Sequence, residues 1–312
     1  MRIILSTTSE LGNRLGPIIS IYRICKKYNI DFLLYWPRQT FNIHNKSVNF
    51  AIAFESIFSI EKITLIDNNI YMDYYNNSKS YILRYNSKIS NKPVKKNDGK
   101  LEGYGIIDLN IFNNYENLIL ENYTHLFGLP TDPMDKWIPY TKKMGIYIED
   151  VYIKELKACF KDFIIHNNIK NIYSEILSKF STNMLGVQIR GDDKGGIKKE
   201  KQGTYQLLIN KIGDHLQKKD SKIFLTTLHE EYQIDLLNKF PDKIIINDKL
   251  DKISFYNNRS DTGNLYIAIA NLILLSKCNY IIGSAGSSYS FLSWIFGDCN
   301  TYETILGYPD YN

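Results

Sequence analysis

An arginine follows a long apolar run in the middle of the sequence and stands before a loop of glycines and charges. The run and the loop read LGVQIRGDDKGG, from Leu185 to Gly196, and the arginine is Arg190. A guanidinium carries a permanent charge and a planar fork of donors that can hold two phosphate oxygens together. Arg190 could therefore stabilise a departing diphosphate. An ion pair with Asp192 or Asp193 that only ties down the loop explains the spacing equally well.

A turn of small residues follows another apolar stretch near the C-terminus. The segment YIIGSAGSSYSFLSW runs from Tyr280 to Trp294, and Gly286, Ser287 and Ser288 precede its final apolar part. Hydroxyls, glycine backbone amides and a helix N-terminus together can hold a phosphate group. The turn is therefore a candidate phosphate site, although serines at this position can also be plain N-caps.

Parallel strands would bring these two segments to one edge of a sheet. Apolar runs alternate with amphipathic segments from residue 183 onward, which predicts a βα series. The predicted strands are 184–190, 222–227, 243–247 and 280–283, and the predicted helices are 204–218, 230–240, 262–276 and 290–296. Ligands of such sheets bind at the carboxyl ends of the strands. Thr226 and Thr227 end one of these strands and are candidate ligand contacts.

A similar series opens the chain. The pattern predicts a strand at 2–5, a helix at 17–28 and a strand at 31–36, with a polar turn at 6–16 that is another candidate site. Helical segments are expected at 117–127 and 153–180. With 312 residues the chain is long enough for two domains. We predict an α/β fold with two Rossmann-like domains, residues 1–180 and 181–312, that face each other across a cleft.

Composition and charge exclude several classes of protein. A 44% apolar content with 13% aromatic residues is ample for packed cores, which argues against global disorder. The net charge of +5 is spread too thinly for a nucleic-acid-binding protein, whereas it fits an anionic small ligand or work near a membrane surface. No uninterrupted apolar stretch reaches the roughly 18 residues that a membrane span needs. We therefore expect a soluble protein.

Cysteines and histidines indicate neither disulfides nor a metal site. The four cysteines lie far apart without a CxxC pair, which favours a reduced, cytoplasmic chain. The five histidines show no spacing typical of zinc ligands, and no DxD triplet suggests a manganese site. No metal is expected.

Four segments, taken in order, resemble a known family. They read RIILSTTSELGNRL, LGVQIRGDDK, IFLTTLHEEYQIDLLNKFP and NLILLSKCNYIIGSAGSSYSF, and they lie in residues 1–36 and 183–296, about half of the chain. Their order and spacing resemble the inverting, GDP-fucose-dependent fucosyltransferases that act in α1,2, α1,6 and protein O-linkage. The nodulation fucosyltransferases of rhizobia belong to that superfamily.

The resemblance implies a GT-B architecture with an acceptor-side N-terminal domain and a C-terminal domain that holds the nucleotide-sugar donor. It also implies an inverting transfer of L-fucose from GDP-fucose to a hydroxyl of a glycan or glycolipid, without a metal or another cofactor. An oxocarbenium-like transition state leaves growing negative charge on the diphosphate, which a preorganised arginine and amide donors can stabilise. Such an enzyme would work in the cytoplasm. If its acceptor is a glycolipid, it would work at the inner face of the membrane.

Several residues match the family's motifs. Arg190 corresponds to the first arginine of HxRRxDK, which holds the donor diphosphate, and Asp193 and Lys194 correspond to the acid and the lysine that close that motif. Gln188 stands where the family has the histidine, and Gly191 replaces the second arginine.

Two further segments carry donor contacts in the family. Ser287, with Ser288 beside it, corresponds to a serine that contacts the phosphate region. The GN(R/Q) loop that meets the sugar and the diphosphate from the N-terminal domain corresponds to three residues here, which are Gly12, Asn13 and Arg14.

One departure concerns the base of the nucleotide. The family places an aspartate before the final strand, where it accepts two hydrogen bonds from guanine, and Asn271 stands at that position here. An amide oxygen can accept, but its NH2 group would oppose a guanine donor. Together with Gln188, Asn271 leaves another nucleotide sugar open as the donor. Gly191 leaves open a catalytically silent protein that binds a nucleotide or a glycan.

The acceptor side offers fewer candidates. Glu200, ten residues beyond Arg190, is a candidate for the group that takes the acceptor proton, although Asp192 or Asp193 could serve and Glu200 is equally well a solvated loop charge. Tyr35 and Trp36 could stack on an acceptor sugar, and core packing is expected for at least one of them.

Overall fold

A computed structural model describes residues 1–7, 11–37, 40–43, 46–49, 52–86, 92–95, 106–121, 126–133, 144–190, 202–249 and 262–306. The chain forms two compact units: Met1–Ile138 with Ala158–Ile164, and Pro139–Lys157 with Ile165–Asn312. The second unit thus takes in residues 139–157 and 165–180, which the predicted boundary at residue 180 assigns to the first domain. The roles of the two domains stay a prediction.

The first unit is built on an α/β series. Its elements are β1 (Arg2–Ser6), α1 (Leu11–Tyr28), β2 (Asp31–Tyr35), β3 (Thr40–Ile43), β4 (Lys46–Asn49), β5 (Phe58–Ser59), β6 (Ile63–Ile66), α2 (Asn68–Asn76), β7 (Ser80–Asn86), β8 (Lys92–Lys95) and β9 (Asn117–Glu121). Six strands form one sheet in the order β6-β2-β1-β9-β7-β8. Its pairs are parallel except for β7 with β8. The central strand β1 is buried on both faces, as its continuous apolar run indicates.

Helix α1 begins earlier than the sequence pattern predicts. We expected residues 6–16 to form a turn, and the helix starts at Leu11 and includes Pro17. Its first turn is mostly buried, but Gly12, Gly16 and Pro17 interrupt the apolar periodicity that would have revealed it. Gly12, Asn13 and Arg14 therefore lie in a helix and not in a loop.

The prediction of a helix at 117–127 is wrong for residues 117–121, which the structure shows as a strand. Residues 117–121 form β9, which pairs in parallel with β1 and β7. Every residue of β9 is buried. A short apolar run of this kind fits a buried strand and a buried helix equally well, so periodicity could not distinguish them.

The chain after β9 repeats the α/β plan, mainly in the second unit. The elements that follow β9 are β10 (Gly145–Ile148), α3 (Val151–Phe160), β11 (Ile164–Ile165), α4 (Asn167–Leu177), β12 (Asn183–Ile189), α5 (Gln202–Leu216), β13 (Ser221–Thr227), α6 (Glu230–Lys239), β14 (Ile244–Ile245), α7 (Thr262–Ser276), β15 (Tyr280–Ser284), α8 (Ser288–Ile295) and β16 (Thr301–Leu306). The helix predicted at 153–180 is thus two helices, α3 and α4.

Six strands of the second unit form a sheet in the order β10-β16-β15-β12-β13-β14. Its pairs are parallel except for the edge strand β10, which is antiparallel to β16. One face of β12, with Leu185, Val187 and Ile189, packs in a core with residues of α5 and α6. Both sheets confirm the predicted α/β class, and the predicted strands at 184–190, 222–227 and 280–283 are present.

Candidate functional site

The carboxyl ends of β12 and β15 are joined by hydrogen bonds. The backbone N–H of Arg190 donates to Ser284 Oγ at 2.9 Å. Ser284 Oγ donates in turn to the Gln188 carbonyl at 3.4 Å, and Ser284 N donates to Gln188 Oε1 at 3.4 Å. The two segments that the sequence singled out therefore meet at one edge of the second sheet, with Arg190 half-buried at the end of β12.

A tight turn connects β15 to α8 at the same edge. Ser287 N donates to the Ser284 carbonyl at 3.1 Å, and Gly286 has a φ of 75°, a conformation that favours glycine. Ser287 is the N-cap residue of α8 and only 1% exposed, yet its side chain makes no capping bond. Because the first N–H groups of a helix lack intrahelical acceptors, this turn can donate to an anion.

Glycine allows α8 to approach β15 closely. A Cβ atom at Gly283 would lie 2.6 Å from Ser290 Cβ and 2.7 Å from the Tyr302 hydroxyl oxygen, distances that real Cβ atoms do not reach. Ser290 and Tyr302 are hydrogen-bonded to each other at 2.9 Å. Gly283 thus fixes the start of α8 against the strand that leads into it.

Tyr289 is a site residue that the sequence analysis missed. Its hydroxyl donates to the Ala268 carbonyl in α7 and is hydrogen-bonded to Thr226 at the end of β13. Burial raises the pKa of Tyr289 above its usual value. An aromatic residue in an apolar helix is typical of core packing, so its type gave no signal.

The two predicted threonine contacts are bonded within the unit. Thr226 meets Tyr289, and Thr227 Oγ1 accepts from His229 N at 3.1 Å. His229 is the N-cap residue of α6 but makes no side-chain capping bond. Both threonines lie at the carboxyl end of β13, beside β12.

Asn271 lies in α7 and is buried with a second amide. Asn247 Nδ2 donates to Asn271 Oδ1 at 2.7 Å, and Asn247 Oδ1 accepts from Lys249 N at 3.2 Å. The oxygen that would accept from a guanine base therefore already accepts one hydrogen bond from the protein. Asn247 was not predicted, because it is 24 residues away in the sequence and its partner is identified only by the fold.

Tyrosines and an acid line the carboxyl end of the first sheet. The register places Ser6 of β1 beside Tyr35 of β2 on one side and Glu121 of β9 on the other. Tyr71 of α2 donates to Glu121 Oε1, is hydrogen-bonded to Ser6 and stacks on Tyr35 with ring centroids 4.5 Å apart. Burial, followed by the Glu121 hydrogen bond, raises the pKa of Tyr71. Tyr35 donates to Asn68 Oδ1 at 3.0 Å.

Arg14 is directed into the first unit. Its side chain is fully buried, Nη1 donates to the Pro37 carbonyl at 3.0 Å, and the guanidinium lies 4.7 Å from the centre of the Trp36 ring. Burial lowers the pKa of Arg14 to about 9, so the group is still protonated at neutral pH. Trp36 donates to the Ile52 carbonyl at 2.8 Å, which confirms core packing for this aromatic residue. Gly12 is buried and Asn13 is half-buried.

Part of the predicted site lies outside the described residues. These residues are Gly191, Asp192, Asp193, Lys194 and Glu200. In the described part of the chain, no three His, Cys, Asp or Glu side chains are grouped so that they could hold a metal ion. No helix among the described residues is long and apolar enough to cross a membrane.

Comparisons with known proteins identify the fold. No protein-family profile matches the sequence. No curated protein matches it either. Solved structures do match: a variant of FUT1 from Arabidopsis thaliana in complex with GDP has a TM-score of 0.59 at 14% identity, over 99% of this chain and 71% of that one. The chain has the GT-B fold of the fucosyltransferases.

Two other fucosyltransferase structures agree. NodZ α-1,6-fucosyltransferase soaked with GDP-fucose has a TM-score of 0.55 at 13% identity, over 95% of this chain and 92% of that one. POFUT1 in complex with GDP-fucose has a TM-score of 0.53 at 9% identity, over 98% of both chains. The fold that the order of the four segments predicted is therefore confirmed.

Proposed function

We propose that this GT-B protein is an inverting, metal-independent fucosyltransferase that moves L-fucose from GDP-fucose to a hydroxyl of a glycan or glycolipid. The observation that carries the proposal is the hydrogen bond from Arg190 N to Ser284 Oγ, which joins the arginine to the turn before α8. The matched structures support this choice of donor, because two of them were determined in complex with GDP or GDP-fucose and a third was soaked with GDP-fucose. We assign the donor to the second unit and the acceptor to the first.

The second sheet's edge suits a departing diphosphate. As the bond between the sugar and the phosphate breaks, negative charge grows on the phosphate oxygen, and Arg190 can hold that charge together with Lys194. Ser287, Ser288 and the N–H groups that open α8 add donors of hydrogen bonds at the same edge. The described residues thus supply donors for the leaving group.

The acceptor hydroxyl must lose a proton as its oxygen attacks the anomeric carbon. Asp193 and Glu200 are our candidates for the base that accepts this proton. Gly12, Asn13 and Arg14 stay our candidates for donor contacts, because they match the family's GN(R/Q) motif. Since Arg14 is buried against Trp36, we assign it a structural role within the first unit.

A second candidate function keeps the fold and the reaction but changes the nucleotide. It is favoured by the hydrogen bond between Asn247 and Asn271, since an amide oxygen that already accepts one bond cannot accept two more from guanine as a carboxylate can. The donor would then be a nucleotide sugar with another base.

Nucleotide binding and transfer test these proposals together. Calorimetric titration with GDP, UDP and CDP should show a preference for GDP, and mass spectrometry should detect fucose on a glycan acceptor when GDP-fucose is supplied. Tighter binding of UDP or CDP would select the second candidate. Binding of GDP without transfer or donor hydrolysis, with Arg190→Ala equal to the wild type, would favour a silent binding protein.

A further inference from the structure

Glu121 occupies the switch point of the first sheet. It is the last residue of β9, which lies beside β1, and the strands that follow β1 in sequence, β2 and β6, lie on the other side of β1. Ligands of open α/β sheets bind outside the carboxyl ends of the strands where the strand order reverses in this way. The position of Glu121 is therefore one at which a ligand is expected.

The carboxylate is held in place before any ligand binds. Tyr71 donates to it from α2, Ser6 is hydrogen-bonded to the same tyrosine, and the Tyr71 ring stacks on Tyr35 at an interplanar angle of 18°. Glu121 itself is only 8% exposed. A carboxylate that is fixed by neighbours can receive a hydrogen bond without first paying the entropy of ordering its side chain.

The chemistry of this edge selects a neutral ligand with hydroxyl groups. An ionised carboxylate only accepts hydrogen bonds, so it matches the O–H donors of a sugar and repels a phosphate anion. Thr7, directly after Ser6, is fully buried, and its Oγ1 has no hydrogen-bond partner among the described residues. A buried hydroxyl without a partner is unfavourable, and a polar ligand that reached it would remove this cost.

We infer that Glu121 and Tyr71 form a binding site for a hydroxyl of the acceptor sugar, with Glu121 as the group that receives the hydrogen bond. This inference rests on the proposed function, because it names the acceptor class of the same enzyme. The ligand is an uncharged glycoside. Tyr71 is a positioning residue that acts through Glu121.

The test compares Glu121→Gln with a matched control at the opposite end of the same strand, just outside it. Glu116→Gln changes the same residue type just before the amino end of β9, where the side chain is 55% exposed and paired with Lys79. For the wild type and both variants, we would measure the KM and kcat for a glycan acceptor, the dissociation constant for GDP, and GDP-fucose hydrolysis without acceptor. Saturation-transfer NMR with the methyl glycosides of galactose, glucose and N-acetylglucosamine measures sugar binding without nucleotide.

Glu121→Gln should raise the acceptor KM about 10- to 100-fold and weaken the methyl-glycoside signal, because a hydrogen bond to a charged group is lost. Its kcat, GDP binding and donor hydrolysis should stay within about threefold of the wild type, as should every value for Glu116→Gln. Tyr71→Phe keeps the stacked ring and should raise the acceptor KM about 3- to 10-fold; it decides the question if Glu121→Gln does not fold.

An unchanged acceptor KM in both edge variants, a loss confined to kcat, or no methyl-glycoside binding by the wild type would overturn the inference. Failure of the proposed function looks different: the wild type would then bind no GDP and release no fucose, whatever the result with methyl glycosides. The two failures are therefore separable within one set of measurements.

Discussion

The carboxyl ends of the two sheets carry opposite chemistry on the same architecture. In the first sheet, the central strands end in Ser6 and Glu121, and Tyr71 covers them. In the second, they end in Arg190 and Ser284, with the N-terminus of α8 beside them. One edge mainly accepts hydrogen bonds and the other mainly donates them. If both assignments hold, the last residue or two of each strand distinguish the ligands of two sheets whose strands are otherwise alike.

The two sheet ends also differ in the size of their residues. Gly283 and Gly286 let α8 start close to the second sheet, so that backbone N–H groups lie near the strand ends. At the first sheet the corresponding space holds the stacked rings of Tyr35 and Tyr71. Small residues therefore accompany the site that we assign to an anion, and aromatic rings accompany the site that we assign to a sugar.

The largest effect is expected when the positive charge of Arg190 is removed from the carboxyl end of the second sheet. Arg190→Ala should lower kcat/KM for fucosyl transfer about 100- to 1,000-fold, because a preorganised donor for the leaving diphosphate is lost. Arg190→Lys keeps the charge but not the fork of donors and should recover part of that loss. Lys239→Gln, at an exposed ion pair with Asp235 on α6, is the control that removes a charge elsewhere in the unit. Equal steady-state kinetics of Arg190→Ala and Lys239→Gln would contradict the role that we assign to Arg190.

A second substitution tests the close approach of α8. Gly283→Ala should lower the free energy of unfolding by about 1–3 kcal/mol and weaken GDP binding, since the added Cβ would push α8 away from β15. Gly213→Ala is the matched control: it lies in α5, and a Cβ there would meet no atom within 4 Å. The free energy of unfolding of Gly213→Ala should rise by about 0.5–1 kcal/mol. Urea denaturation measures both, and equal stability of the two variants would contradict the packing argument.

The preference of the protein for one nucleotide base can be tested at Asn271. Asn271→Asp restores a carboxylate that can accept two hydrogen bonds from guanine, and we expect it to raise the affinity for GDP about tenfold while leaving that for UDP unchanged. The Asn247 Nδ2 group can still donate to the new carboxylate. Calorimetric titration checks the result, and a parallel gain for UDP would show that the residue does not contact the base.

The smallest effect that we expect is on stability at high pH, and it depends on Tyr71. The folded-state pKa of Tyr71 lies above its usual value, so its contribution to stability is complete below pH 10 and is lost as the pH rises further. Tyr71→Phe should therefore lose about 1 kcal/mol less stability than the wild type between pH 9 and pH 11. Chemical denaturation at the two pH values measures the difference, and parallel losses would mean that Tyr71 ionises freely in the folded protein.

The sequence predicted the second edge better than the first for a physical reason. Strands β12 and β15 are apolar runs that end at charges or small residues, so their ends could be located and Arg190 and Ser287 placed on one edge. Strand β9 is equally apolar, but its pattern also fits a helix, so the sequence does not mark Glu121 as the end of a strand. The start of α1 could not be predicted for another reason: Gly12 and Pro17 interrupt its apolar periodicity.

Contacts between distant residues could not be predicted from the sequence. Tyr71 and Glu121 are 50 residues apart, and Asn247 and Asn271 are 24 apart. Neither pair has a spacing that a periodic pattern could detect, because each depends on which strands lie side by side. The polar pairs that hold the site together therefore emerge only from the strand order.

Ser284 anchors the carboxyl end of β12 before any ligand binds. Its hydroxyl fixes the backbone N–H of Arg190 although the two residues are 94 positions apart. The chain thus loses the conformational freedom of this junction when it folds, long before a donor molecule arrives. A departing pyrophosphate would meet an arginine whose main chain is already anchored, and each turnover would begin from the same starting geometry.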